Sequence, residues 1–388
     1  MLVAVVGGKL QGIEAAYLAH KAGWGVKVID KNSLVPASGL GDLFFQLDVT
    51  VEHALTHVLN DVDLVIPALE DDETLICLDR WTRARNIPFA FDPGAYSISS
   101  SKLASEQVFS HLGVATPKPW PGCRFPVVAK PSEGSGSDGV QIFDHPERVK
   151  RHLHGSARDW IVQEFIDGPS YSLEIIGKPG NYTPVQVTDL GMDSQFDCKR
   201  VIAPTELSEH LISDFETLSI SLAEALRLKG LMDVEVVLHD NRLRLLEIDA
   251  RLPSQTPTAV YWSTGQNLVQ MLGQIFLSMP QKNGENREPP RGVVYEHIHV
   301  TSCFLEVVGE HIMSGSDALH VCQDFFGADE AITNYTHGRE EWVATLIYTG
   351  KDRKEAWSKR DQTIKEIQGK FNIKQYRDSS PEPIKPRA

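Results

Sequence analysis

Between Leu231 and Thr258 the chain reads LMDVEVVLHDNRLRLLEIDARLPSQTPT, and few structures accommodate that string. Two apolar runs, Met232–Leu238 and Leu243–Ala250, flank His239-Asp240-Asn241-Arg242, whose Asp and Asn are turn formers. The pattern predicts a β-hairpin. Alternate residues of a strand share a face, so Glu247, Asp249 and Arg251 lie on one side and Leu246, Ile248 and Ala250 on the other. Asp233 and Glu235 join the first face if the link holds an odd number of residues, Asp240-Asn241-Arg242 being the expected loop, or if a bulge intervenes. A plain two-residue Asp240-Asn241 turn would instead set Glu235 opposite Leu246. Carboxylates crowded on one face repel, so the patch makes sense chiefly around cations. Hard oxygen donors suit Mg²⁺, and an arginine at the rim suits a phosphate touching the same ions. A solvated hairpin face with surface ion pairs is the plain alternative, which the rest of the chain must decide against.

A chain of 388 residues is long for one core and predicts two or three domains. Its net charge of −14, with no basic stretch, excludes nucleic acid as an expected partner. The five cysteines are scattered without a CxxC spacing, so neither zinc nor a disulfide framework is expected. The opening MLVAVVGG lacks the features of a signal peptide, and no apolar run approaches the ~18 residues of a membrane span. A cytoplasmic protein with no membrane partner is the expectation.

Residues 1–91 alternate strand and helix, which implies parallel βαβ units. Leu2–Val6 leads into Gly7-Gly8-Lys9-Leu10-Gln11-Gly12 and a helix, and Val26–Ile29 ends at Asp30. The glycine turn is spaced G-G-x-x-x-G rather than G-x-G-x-x-G, so a nicotinamide-dependent dehydrogenase with Asp30 near the ribose is the lesser reading. The turn still suits an anion or small ligand, because N–H groups of the following helix point out of it and Lys9 and Gln11 add donors. Glu70 follows the strand Leu64–Ile66, where ligands of open sheets sit, and could hold an ammonium group.

Asp92-Pro93-Gly94 reads as a linker before a helix starting at Ser99-Ser100-Ser101, with Lys102 in its first turn. A cation there opposes the helix dipole, which is sensible if an anion docks at that end. The strand Phe125–Pro131, with Lys130 at its end, is followed by Ser132-Glu133-Gly134-Ser135-Gly136-Ser137-Asp138-Gly139 and another strand, Val140–Phe143. A loop this rich in Gly and Ser can wrap phosphate oxygens with backbone N–H groups, though it is no Walker A loop. Gln163-Glu164-Phe165-Ile166 closes the strand Trp160–Phe165 with extended backbone that could pair with a purine edge.

Taken in this order, the pieces resemble the ATP-grasp family of carboxylate–amine ligases. The resemblance implies α/β and α+β architecture, an ATP-grasp fold preceded by a Rossmann-like parallel βαβ domain. It implies ATP and two Mg²⁺ ions as cofactors. By the same resemblance Lys102, Lys130 and Arg251 are the catalytic cations, with both lysines and the loop around Ser135 and Ser137 on the ATP phosphates. Gln163, Glu164, Phe165 and Ile166 become the adenine hinge, and Glu235, Glu247 and Asp249 the metal ligands. The family often has Asn at the position of Asp249, so this patch is the more acidic.

GGKLQGIEAAYL, LKGLMDVE and EIDARLPSQTPTAVYWSTG carry a narrower resemblance, to the branch of the family that builds pyrrolysine. It implies an amide between the carboxylate of (3R)-3-methyl-D-ornithine, or D-ornithine, and the ε-amine of L-lysine, formed through an acyl phosphate. Ser172, Glu174, Asp233, Arg251, Pro253, Ser254, Gln255 and Thr256 are then expected around the ornithine-type substrate, and Leu10, Gln11 and Glu70 around lysine. Asp197 is a further candidate for an ammonium group. Another amino-acid or purine-type ligase of the same fold is the nearest alternative. The expected division is 1–91, a linker and helix at 92–115, a lid at 116–190, a metal-bearing domain at 191–378 and a disordered tail at 379–388.

Beyond Gln281–Arg291, strands are expected at Val293–Val300 and Trp342–Tyr348 and a helix at Asp352–Gly369. Its stripe Trp357, Ile364, Ile367 and Phe371 offers core or the surface of a homodimer. His297 and His299 alternate on a strand, as a metal pair could, but packed or solvated histidines are the expectation without a third ligand.

Overall fold

The computed structural model describes residues 1–134, 139–278 and 289–381. Ser135, Ser137 and most of the expected tail, 382–388, lie outside the described residues. The chain opens with a parallel sheet of β1 (Leu2–Val6), β2 (Gly25–Asp30), β3 (Leu43–Gln46) and β4 (Leu64–Pro67) in the order β3-β2-β1-β4. Val3, Ala4, Val5, Val26 and Val28 are all fully buried, the uninterrupted apolar character of a parallel sheet covered on both faces. Between β1 and the helix Leu10–Lys21 the chain turns at Gly7, whose φ of +109° favours glycine, and a Cβ there would sit 2.2 Å from the Ala68 carbonyl. Asp30 closes this turn: its carboxylate accepts from the Gly8 N–H and the Asn32 N–H, each at 2.8 Å.

Asp92-Pro93-Gly94 is not a linker but a helix start. The Asp92 carboxylate accepts from the N–H groups of Gly94 and Ala95 (3.0 and 3.1 Å), and a helix runs from Pro93 to Ser99. Aspartate at the cap with proline at the first position is a start signal that the sequence reading took for a break. A second helix, Lys102–Leu112, is capped by Ser101 and ends at Gly113 with φ +66°.

Three strands, β5 (Val127–Pro131), β6 (Gln141–Phe143) and β7 (Trp160–Glu164), form a small sheet in the order β6-β5-β7. The next strands, β8 (Ser170–Lys178) and β9 (Asn181–Met192), leave it and join β10 (Cys198–Ala203), β11 (Gly230–His239) and β12 (Arg242–Asp249). The expected boundary at residue 190 therefore falls inside a strand of the large sheet. That sheet continues through β13 (Gly292–Val300), with β14 (Phe304–Val307), β15 (His320–Phe325), β16 (Ala328–Thr333), β17 (Trp342–Gly350) and β18 (Gln375–Arg377). Of these, only β13 and β17 were legible in advance.

A helix from Arg353 to Phe371 packs its stripe inward: Ile364 and Ile367 are buried in the core beside Val294, Leu346 and Tyr348. Another cluster joins Val3, Val26 and Tyr17 of the first domain to Leu231, Ala259 and Tyr295 of the large sheet. Polar contacts reinforce that seam: Glu14 accepts from the Thr258 N–H at 2.5 Å, and Lys21 pairs with Glu330 at 2.7 Å. His297 is buried against Thr345 (2.8 Å) and His299 pairs with Glu341 (2.9 Å), so the two do not meet at a common ligand.

Candidate active site

The β11–β12 hairpin has the two-residue turn, not the expected odd loop. Asp240 and Asn241 take φ of +50° and +57°, the left-handed pair that fits the strands' twist, and both residue types tolerate it. On that turn alone Glu235 would face Leu246. Instead the register runs Leu238↔Leu243, Val236↔Leu245 and then Glu235↔Glu247, leaving Leu246 as an extra residue in a bulge. The bulge returns Glu235 and Asp233 to the face of Glu247 and Asp249. On the other side of β11, β8 pairs Ser172 with Glu235 and Glu174 with Asp233. Six polar side chains from three adjacent strands thus share one face.

The five carboxylates among them lie close enough to act on one another. Burial raises the Glu235 carboxyl well above its usual range, and Asp233, Glu247 and Asp249 add to the effect. Burial lifts Asp249 to about 7 even though Arg251 opposes it, and lifts Asp233 to about 6. Glu174, fully buried, is pushed up to about 8 by burial and then by Asp233. Glu247 goes the other way: burial would raise it, but Lys102 and Lys130 hold it below the usual value.

Cations approach from several elements. Lys102 extends from the start of its helix to the Gly134 carbonyl (2.7 Å) and to within 3.4 Å of Glu247. Lys130, on β5, is enclosed, and burial lowers its pKa against the pull of Glu247. Arg251 lies 3.1 Å from Asp249 and 2.8 Å from Glu70, while Gln11 donates to Glu70 at 2.8 Å. The N-terminal residues Gln11 and Glu70 are thereby brought to the hairpin face.

Cavities surround this face. One of about 380 Å³ is lined by Lys102, Lys130, Gln163, Glu164, Phe165, Ile166 and, from the large sheet, Glu235, Leu246 and Glu247. Glu164 and Phe165 are fixed by backbone bonds to Lys118 (2.8 Å) and Pro126 (3.0 Å). A second, about 570 Å³, reaches from Lys130 and Glu247 past Ser101 to Glu70. A third, about 100 Å³, lies among Asp233, Glu235, Glu247, Asp249, Arg251, Pro253, Ser254, Gln255 and Thr256. Lys9, Leu10, Gln11, Asp30 and Glu70 line a fourth, about 480 Å³, in the first domain. Lys9 and Asp30, expected at the cofactor, thus sit apart from the Gln163–Ile166 cavity, and Asp30 is already engaged by the glycine turn.

Residues 99–255 match the ATP-grasp domain family. Over 377 residues the chain is 34% identical to the 3-methyl-D-ornithine–L-lysine ligase of Methanosarcina mazei, covering 95% of this chain and 96% of that one. With the ligase of the same name from Methanosarcina acetivorans the identity is 35% over 379 residues, 95% and 98% of the two chains. The chain belongs to this ligase family. Among solved structures, N5-carboxyaminoimidazole ribonucleotide synthetase from Thermotoga maritima superposes with a TM-score of 0.66 at 16% identity, covering 94% of this chain and 98% of that one. Biotin carboxylase from Campylobacter jejuni, in its β-γ-ATP complex, gives 0.72 at 14%, covering 94% and 91%. Both share the ATP-grasp fold with this chain.

In this ATP-grasp ligase the hairpin face fits a divalent cation by the chemistry of its donors. Glu235 is a half-buried carboxylate whose charged form is disfavoured by burial and by three acidic neighbours, a balance that a bound cation would reverse. Among the described residues no three such groups already converge as a metal cage, since Glu247 and Asp249 lean toward Lys102 and Arg251.

Sequence reasoning missed several lining residues. Leu246 lines the 570 and 380 Å³ cavities because it is the bulge residue, and no propensity marks a bulge. Lys199, Arg200, Ser380 and Pro381 line the Gln163–Ile166 cavity. Asp378 holds that end of the chain there, 2.7 Å from Lys199 and 2.8 Å from Arg200, and Glu296 bridges Arg200 and Arg360 at 2.7 and 2.8 Å. The adjacent Lys-Arg pair was the only advance signal.

Proposed function

We propose that this ligase joins the carboxylate of (3R)-3-methyl-D-ornithine to the ε-amine of L-lysine at the expense of ATP. The observation that carries the reading is the convergence of Lys102, Lys130 and Arg251 on a face of buried and half-buried carboxylates where three cavities meet. One cavity holds the nucleotide along Gln163–Ile166, the small one the ornithine-type substrate. Lysine approaches from Glu70 and Gln11. The near full-length relatives support these substrates, and the five free cysteines accord with a cytoplasmic setting.

The chemistry follows from charge. A carboxylate is a weak acyl donor, so a carboxylate oxygen attacks the γ-phosphorus of ATP, the bond to the bridging oxygen breaks, and ADP departs. Lys102 and Lys130 offset the phosphoryl charge, and Arg251 holds the substrate oxygens in line. Glu235, Glu247 and Asp249 would hold two Mg²⁺ ions, whose role is to neutralise phosphate charge. The uncharged lysine amine then attacks the acyl carbon, phosphate leaves, and the amine gives up a proton. An ordinary lysine amine titrates near ~10.4, so a carboxylate-lined approach must first strip it of a proton.

The test is phosphate release from ATP with each amino acid alone and with both, followed by mass spectrometry of the product formed from D-ornithine and lysine. The reading expects release only with both, and a product equal in mass to the two amino acids less water. Release that ignores lysine, or no amide product, would sink it.

A further inference from the structure

We propose that Asp378 is a positioning residue for the nucleotide: it pins residues 379–381 as a wall of the ATP cavity and so sets how tightly ATP and ADP are held. This rests on the placement of the nucleotide along Gln163–Ile166, and adds to it a segment that reading does not use.

The anchor begins in β10. Its register against β9 runs Cys198↔Met192 and then Arg200↔Gly191, which leaves Lys199 as an extra residue in a bulge. Successive side chains of a regular strand point to opposite faces, so a bulge lets two neighbours serve one partner. Here the partner is Asp378, 2.7 Å from Lys199 and 2.8 Å from Arg200. From the other side, β18 pairs with β14 in the register Glu306↔Arg377 and delivers Asp378 directly after its last residue. Although burial would raise it, the Asp378 carboxyl is held below its ordinary value by Arg200 and Lys199, so it carries its charge at neutral pH.

Lys199 makes this more than a surface ion pair. It is only 1% exposed, and its ammonium takes its partners from three consecutive residues: the Asp378 carboxylate, the Ser379 carbonyl at 2.5 Å and the Ser380 hydroxyl at 3.3 Å. A buried ammonium without partners is strongly unfavourable, so the segment and the lysine hold one another in place. Arg200 depends on the segment less, because Glu296 also pairs with it at 2.7 Å.

What the anchor holds is a cavity wall. Ser380 and Pro381 line the 380 Å³ cavity that runs along Gln163–Ile166. The small sheet contributes Val128 and Ile142 to the same cavity, and the large sheet Met192 and Val237. Those two walls are sheets, fixed by backbone ladders. The wall at Ser380 and Pro381 is a short length of chain tied by side-chain charge. It opens more readily than a strand ladder, so its anchor controls nucleotide exchange.

The experiment compares wild type with Asp378→Asn, Asp378→Glu and Pro381→Gly, and uses Leu246→Ala as the reference for the cavity. Asp378→Asn keeps the shape and removes the charge. It should raise the KM for ATP about fivefold or more, and speed release of a fluorescent ADP analogue in stopped flow by a similar factor. The KM values for lysine and D-ornithine should stay within about twofold, and Asp378→Glu should recover part of the ATP affinity. If Asp378→Asn fails to fold, Pro381→Gly decides: it removes no polar side chain, and it should raise the KM for ATP in the same way. A contact that merely braces the fold would lower the Tm and the yield of active enzyme, with the KM for ATP and ADP release unchanged. That result overturns the proposal. If Leu246→Ala also leaves the KM for ATP unchanged, the nucleotide lies elsewhere and both readings fall; if Leu246→Ala raises it, only the wall is lost.

Discussion

Glu70 and Arg251 form an ion pair of 2.8 Å that ties the first domain to the hairpin carrying the acidic face. Gln11 donates to the same carboxylate at 2.8 Å, so one side chain gathers contacts from the glycine turn and from the hairpin's exit. Arg251 is in turn 3.1 Å from Asp249. A single relay thus runs from the proposed lysine side of the site to the proposed metal side.

Glu70→Gln tests which substrate that relay serves. The amide keeps the shape and can still accept from Gln11, but it no longer balances an ammonium. The KM for lysine should rise about tenfold, and that for D-ornithine should change less than about twofold. Initial-rate kinetics with each amino acid varied in turn checks this; an equal rise for both would remove lysine from the Glu70 side.

Lys130 is the cleaner probe of the phosphate site. Arg251→Ala would also strand Asp249 and Glu70, so a loss of activity there would mix the site with the contacts that hold it. Lys130 is held at a strand end, its charged form penalised by burial, so little of the fold depends on keeping the charge there. Lys130→Ala should lower phosphate release at least about a hundredfold with an unchanged circular dichroism spectrum. Near-normal release from a folded variant would place the phosphates elsewhere.

How far these elements were legible differed by cause. Strand alternation put Glu247 and Asp249 on one face, and the apolar run of β1 followed by glycines announced a parallel βαβ unit, because both patterns are local. The pairing of Glu235 with Glu247 was not local: it depends on a bulge at Leu246 that compensates a turn one residue short. Asp92-Pro93 was misread because proline both breaks and begins helices. Glu310 and Asp378 come to the cavities only through strand order in the large sheet and carried no sequence signal at all.

His297 gives the protein an acid-sensitive point. Only 2% exposed and bonded to Thr345, it is depressed by burial to about 4 against an ordinary 6.5. The unfolded chain therefore binds a proton there between those values and the folded one does not. This contribution to stability is intact above pH 6.5 and is lost as pH falls toward 4, by about 3 kcal/mol at most. Urea unfolding at pH 7.5 and pH 5 should show wild type losing more stability than His297→Gln, whose amide can still bond Thr345. Parallel losses would mean that other groups set the acid response.

The hairpin bulge makes the last prediction, since it assigns neighbouring residues to opposite tasks. Glu247 faces Glu235 across the strands, whereas Leu246, next to it in sequence, is the extra residue and lines the 570 and 380 Å³ cavities. If the acidic face holds magnesium, Glu235→Gln and Glu247→Gln remove donors that a hard cation needs. Each should raise the magnesium concentration for half-maximal activity about tenfold or more, and the double variant should add little, because the two serve one site. Leu246→Ala touches no metal donor. It should leave the magnesium response within about twofold while raising the KM for ATP, because it removes apolar surface from the cavity beside Gln163–Ile166. Magnesium titrations at saturating ATP separate the two effects. A Leu246→Ala variant whose magnesium requirement shifts as much as that of Glu247→Gln would mean that the face assignment, and with it the metal site, is wrong.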